Sequence, residues 1–266
     1  MKIQHDVHMH TFLSRCSDDP NFLPPAIIER SKANGIRVLG FTDHMWDKTM
    51  PGGDNAVYRN QDYDHVVKIH DMMPDRIDGI RILFGCETEY YGKGRIGISK
   101  EVASLFNYVL VPTNHTLTDF AKEEGLISPT ELAKELVKRF REVLSFDVAA
   151  GICHPMLPMG FFDIGDKIFN SISNEEFNEC FSMANEKKVS LEINSCTFPG
   201  IYSRGTDGFT DETYLRFFTL AKEAGCKFHF GSDAHSIEDI DRLQKLEPYL
   251  EILKITDEDL NPRFKV

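Results

Sequence analysis

The chain has 266 residues, a formal charge of −12 at pH 7, and 41% hydrophobic and 27% charged residues. These values fit one α/β domain of ordinary globular composition. The acidic balance, with no cluster of Lys and Arg to reverse it, argues against a nucleic-acid partner. No apolar run of roughly 18 residues is present to span a membrane.

The N-terminus, MKIQHDVHMH, lacks the apolar core of a signal peptide. The six cysteines (Cys16, Cys86, Cys153, Cys180, Cys196, Cys226) are widely spread without a C-x-x-C, a usage that points to the cytoplasm. In chain order, short β-branched or apolar runs alternate with longer amphipathic ones. Strands are predicted over 3–10, 37–44, 81–89, 108–115, 148–155, 189–195 and 227–235. Helices are predicted over 24–35, 62–73, 99–106, 128–144, 173–187 and 210–225. Ser128-Pro129-Thr130-Glu131 offers an N-cap serine, a proline at the first helical position and the glutamate of a capping box. Gly35 and Gly225 stand where a helix ends just before a strand. Strands alternating with helices predict parallel pairing through right-handed crossovers. With no linker or shift of composition, residues 1–266 read as a single domain.

Every predicted strand ends in groups able to bind a metal. They are His8 and His10, then Asp43-His44, Cys86-Glu87-Thr88-Glu89, Asn114-His115, His154, Glu192-x-Asn194, and Asp233-Ala234-His235. A closed barrel of parallel strands puts all C-terminal strand ends on one rim, where residues distant in sequence converge. Any one of these side chains alone is more often a satisfied polar group than a ligand; their presence at every strand end is what points to a metal site. Imidazole with carboxylate suits Zn, Mn or Fe, whereas Ca and Mg favour all-oxygen sites. Of the other histidines, His65 and His70 read as solvated groups on a polar helix, His5 as structural and His229 as core packing.

Together these motifs, His8-Met9-His10 with Ser14-x-Cys16-Ser17-Asp18-Asp19, Thr42-Asp43-His44, Gly85-x-Glu87, Asn114-His115, His154-Pro155 and Gly231-Ser232-Asp233-Ala234-His235, resemble those of the PHP (polymerase and histidinol phosphatase) family of metal-dependent phosphoesterases. The resemblance covers nearly the whole chain and is nearest to the stand-alone members similar to histidinol phosphatase. It implies a distorted (β/α)7 TIM-like barrel, the PHP fold, holding two or three divalent metal ions, zinc first, with Mn or Fe as alternatives. Carried over, His8, His10, Glu87 and Asp233 hold one metal, and Glu87 bridges to a second that also takes His115 and His154. His44, His235 and one ligand from the loop after His10 hold a third. Many members place His or Asp six residues after the His-x-His; this chain has Cys16 there. Asp19 is the favoured ligand, because the Asp19-Pro20 step would fix an extended turn, with Asp18 and Cys16 as thiolate left open.

The implied activity is hydrolysis of a small phosphomonoester by metal-bridging hydroxide, with Glu87, His115 and Asp233 as the expected catalytic set and inorganic phosphate as product. Histidinol phosphate is one candidate substrate. A phosphate dianion also wants a guanidinium. Arg204, in the loop after the sixth strand, is the expected phosphate ligand, with Arg59 and Arg95 as competitors. Trp46 either stacks on substrate or covers the barrel mouth. Glu192 is expected to order the rim by hydrogen bonding. The alternatives are a phosphodiesterase or exonuclease-like enzyme acting on nucleotides, an amidohydrolase, and a metal-binding module without turnover. Amidohydrolases often bridge two metals with a modified lysine at the end of strand four, where this chain has Asn114-His115.

Overall fold

The computed structural model describes residues 1–17, 19–52, 58 and 60–266. All seven predicted strands are present: β1 (His5–Met9), β2 (Val38–Phe41), β3 (Ile80–Glu87), β4 (Tyr108–Leu110), β5 (Gly151–Ile152), β6 (Ser190–Asn194) and β7 (Phe228–Gly231). They pair in sequence order, each with its neighbour and each in parallel. Closure comes from β7 meeting β1: His10 N donates to Ala234 O at 3.3 Å and Asp233 N to His8 O at 2.9 Å. The result is a seven-stranded, TIM-like barrel with all strand C-termini on one rim. The strands are shorter than predicted because most of the rim residues lie past the last ladder bond. His10, for instance, falls one residue beyond β1.

Helices wrap the outside because parallel strands must be joined by crossovers. The predicted capping box is present: Ser128 Oγ accepts from Glu131 N, the Glu131 carboxylate accepts from Ser128 N, and the helix runs Pro129–Ser145. Ser173 and Glu176 form a second box at the start of Asn174–Lys187. Gly35 and Gly225 have φ of +79° and +80°, the left-handed conformation that releases a helix into a strand. The predicted helix 62–73 is instead two short helices, Tyr63–Val66 and Lys68–Met72. A further helix, Leu117–Glu124, and a hairpin, Tyr90–Gly92 with Arg95–Ile96, occupy segments for which no helix or strand is predicted. The hairpin turn passes through positive φ at Gly92, Lys93 and Gly94, which the two glycines permit.

The barrel interior beneath the rim is filled by Val7, Val38, Tyr108, Leu110, Cys153 and Phe264. Tyr108 Oη, on β4, donates across it to Val7 O of β1 at 2.8 Å. Phe264 packs against His5, Tyr108 and His229, so the last residues of the chain plug the end of the barrel away from the rim. His5 and His229 are both buried here, as read from the sequence. His65 differs: its Nε2 lies 2.8 Å from Leu13 O and ties down the loop after β1. His70 is exposed, with its ring 5.1 Å from that of Phe84.

His5 Nε2 accepts from Phe230 N at 2.9 Å, a bond only the unprotonated ring can make. Burial, then the neighbouring His229 and Arg81, lower its pKa to about 3, and burial lowers that of His229 to about 4. In the unfolded chain both titrate near the ordinary 6.5. As pH falls from 6.5 toward 4, the unfolded state therefore takes up protons that the fold refuses, and stability drops. Asp6, raised by burial to about 6, has the opposite sign over part of that window, but it is one group against two. Urea unfolding across pH 4–6.5 is expected to show stability rising with pH, and His5→Gln is expected to flatten the slope. An unchanged slope in the variant would count against a neutral His5.

Candidate metal centre

Six imidazoles and five carboxylates (Asp43, Glu87, Glu89, Glu192 and Asp233) converge at the rim. One set of ligand atoms, from His8, His10, Glu87 and Asp233, lies within 4.8 Å of one another. So does a second from His44, Glu87 and His115, a third from His8, Glu87, Cys153 and His154, and a fourth from His10, Cys16, His44 and His235. Asp233 and His154 have positive φ (54° and 26°), strain of about 1–3 kcal/mol each that is typical of functional positions. Gly231 allows the approach on one side, since a Cβ there would strike Glu192 Oε1 and His8 Cβ.

Five of the six rings share an orientation, His44 being the exception with its Nδ1 toward Glu87. The Nδ1 of His8 faces Glu192 Oε1 at 2.8 Å, that of His115 faces Glu89 Oε1 at 2.8 Å, and that of His154 faces Asn114 Oδ1 at 3.0 Å. His235 Nδ1 faces Asp233 O at 2.8 Å. His10 Nδ1 faces Ser14 Oγ at 2.9 Å, and that hydroxyl spends its own hydrogen on Asp43 Oδ1 at 2.6 Å. Each partner accepts, so each Nδ1 carries the hydrogen, and in the neutral ring Nε2 keeps its lone pair. Metal-binding histidines are oriented in this way by outer partners.

Glu87 sits at the centre with its oxygens divided. Its Oε2 lies 3.0 Å from His44 Nδ1, 3.3 Å from His8 Nε2 and 3.5 Å from His10 Nε2. Its Oε1 lies 3.1 Å from His154 Nε2 and 3.8 Å from His115 Nε2. Despite these distances, His8 Nε2, His44 Nδ1 and Glu87 Oε2 are buried without a hydrogen-bond partner among the described residues. His115 Nε2 and His154 Nε2 face each other at 3.1 Å. Buried polar atoms are ordinarily satisfied; orphans gathered around one carboxylate fit a cluster of divalent cations.

The electrostatics agree. Burial alone would neutralise Glu87 and Asp233, yet the surrounding imidazoles, His8 foremost, hold both well below the ordinary carboxylate range. Burial opposes charge on His8 too, but Glu192, Glu87 and Asp233 raise it well above the ordinary imidazole value. His10 goes the other way, lowered by burial and by His235 and His44. Carboxylates packed this closely demand positive charge among them.

The candidates for the third ligand lie in different surroundings. Asp19 Oδ1 accepts from Asn21 N at 2.8 Å, in a turn leading toward the next helix, and Asp19 belongs to none of the four ligand sets. Cys16 does belong, with His10, His44 and His235. Asp18 and Arg59 lie outside the described residues. Glu192 is fully buried; besides facing His8 it accepts from His154 N at 2.6 Å, which is the ordering role read from its strand end. Asp43, Ser14 and Glu89 were not singled out as supports; only Asp43 and Glu89 carried a hint, in standing beside ligand-type residues at strand ends. Arg204 donates through Nη2 to Cys196 O at 2.7 Å and lies over Phe162 at 4.0 Å, while its buried Nε has no partner among the described residues. Arg95 stacks on Tyr91 at 4.1 Å. Trp46 is buried, with Nε1 donating to Met50 O at 3.2 Å and its ring 5.8 Å from Tyr58, so it covers the mouth rather than presenting a face.

No protein-family model matches the chain. It is 26% identical over 97% of its length to a probable phosphatase of Clostridium botulinum, covering 89% of that protein. It is 25% identical over 94% of its length to a probable phosphatase of Aliivibrio fischeri, covering 85% of it. Among solved structures, histidinol phosphate phosphatase from Lactococcus lactis, complexed with zinc, L-histidinol and phosphate, superposes with a TM-score of 0.57 at 19% identity. That match covers 92% of this chain and 93% of the other, and shows a shared barrel.

Proposed function

We infer that this chain is a metal-dependent phosphoesterase of the PHP kind that hydrolyses a small phosphomonoester. The observation that carries the reading is the division of Glu87 between two halves of one imidazole cluster, each with inward-facing ring nitrogens. His8, His10, Glu87 and Asp233 would hold one cation, and Glu87, His115 and His154 a second. Divalent cations bound side by side acidify water and neutralise charge on phosphoryl oxygens. The residues of the chain supply the rest. Glu192, Glu89, Asn114 and Ser14 fix the ring orientations, and buried Trp46 and Tyr58 restrict water at the mouth. Arg204, braced by Cys196 O and Phe162, is the group proposed to meet a substrate phosphate, its planar fork matching two oxygens.

The probable phosphatases to which the chain is similar support the monoester reading. The alcohol half is open, and histidinol phosphate, whose products occupy the Lactococcus lactis protein, is the first to assay. A cytoplasmic location is part of the proposal, supported by six unpaired thiols. Protein loaded with zinc is expected to turn over p-nitrophenyl phosphate, to lose that activity on dialysis against a chelator, and to leave an N-acyl amino acid intact. Turnover of bis-p-nitrophenyl phosphate alone would move the reading to a phosphodiesterase. Cleavage of the amide alone would overturn it.

A further inference from the structure

Two tight turns follow β1: Ser14 N donates to Thr11 O and Ser17 N to Ser14 O, at 3.0 and 2.9 Å. They fold the loop back over the rim and bring Cys16 among imidazoles. The loop is pinned from four sides. Asp43 accepts from Thr11 N, Thr11 Oγ1 and Ser14 Oγ at 2.6–2.8 Å. Gln61 Oε1 accepts from Arg15 N at 2.7 Å, Leu13 O meets His65 Nε2, and Ser17 Oγ donates to His235 O at 2.9 Å. A position so constrained is preorganised, and the side chain it presents is a thiol rather than a carboxylate.

We propose that Cys16, with His44 and His235, forms a sulfur-ligated cation site at the outer edge of the cluster, selective for zinc-like ions over magnesium or manganese. This rests on the metal-centre reading and deepens it. His10 shares the set geometrically, but its Nε2 already faces Asp233 Oδ1 at 3.1 Å, and one nitrogen lone pair serves one ion. Its ring instead stacks on His235, with centroids 4.2 Å apart. His235 is fixed with Nδ1–H on the Asp233 carbonyl, leaving Nε2 to bind. Two imidazoles and one thiolate are a borderline-soft set, unlike the inner positions built around Glu87 and Asp233. The outer site therefore discriminates among metals by ligand type, and it is the part of the cluster nearest solvent, Cys16 being exposed.

Cobalt reports this directly, because thiolate ligation adds a near-ultraviolet charge-transfer band to the visible bands of any bound Co(II). Metal-stripped, reduced protein titrated with Co(II) is expected to show that band. Cys16→Ser is expected to lose it and to bind about one cobalt fewer per chain while keeping visible bands, which also shows that the variant folds. Asp19→Ala and Cys153→Ser are expected to retain it; the second is the control, because Cys153 is the other sulfur in the ligand sets, on the inner side beside Glu87. A band that survives Cys16→Ser and disappears in Cys153→Ser overturns the proposal. So does wild type with visible bands but no charge transfer. Phosphomonoester turnover, assayed on the same samples, reports separately on the phosphoesterase reading: a charge-transfer band without turnover leaves the sulfur site standing and removes the enzyme.

Discussion

Glu87→Gln is expected to abolish measurable phosphomonoester turnover while leaving the protein folded. Substituting an outer partner of a metal ligand typically costs roughly 10–100-fold in affinity or activity; Glu87 should exceed that range. It faces five of the rim imidazoles within 3.8 Å and is fully buried. The amide keeps the shape of the side chain and removes its charge, so the two halves of the cluster lose the one anion they share. The loss should appear in kcat and in metal content by elemental analysis, with the far-ultraviolet circular dichroism unchanged. Activity within tenfold of wild type, at normal metal content, would remove Glu87 from the centre of the chemistry.

The largest expected effect on stability lies outside the cluster, at Arg139. This side chain is completely buried. Its Nε donates to Glu135 Oε1 at 3.0 Å, Nη1 to Thr116 Oγ1 at 3.0 Å and Nη2 to Tyr91 O at 3.3 Å, and the guanidinium lies 4.6 Å from the Phe120 ring centroid. Burial pulls its pKa below the ordinary guanidinium value, against the pull of Glu135. Removing one member of a buried pair strands the other, at a cost of about 3–5 kcal/mol. Arg139→Met should lower the urea midpoint accordingly, and Arg139→Met with Glu135→Leu should recover part of the loss, since no charge is then stranded. Exposed pairs such as Lys32–Asp78 offer the contrast, where about 0–1 kcal/mol is expected. Thr116 flanks His115, so the single variant should also weaken metal binding. An unchanged midpoint would mean that Glu135 finds another partner.

The sequence by itself determined the architecture and which inner side chains converge at the rim. Parallel strands alternating with helices leave few topologies, and a barrel makes seven strand ends neighbours whatever their separation along the chain. His8, Glu87, His154 and Asp233 were legible for that reason: each stands at the end of an apolar run, and chemistry at a strand end is positional. Ser128 and Glu131 were legible because a capping box is local. Residues 62–73 misled, since the pattern does not show the break between the two short helices. Cys16, Asp18 and Asp19 could not be separated either, because a loop of tight turns has no period to read. The place of Cys16 depends on Asp43, Gln61, His65 and His235, brought to that loop from four other places in the chain. The outward tethering of Nδ1 in five of the six rings was likewise decided only by the tertiary structure. A tautomer is set by the group a ring touches, and Glu192 lies 184 residues from His8.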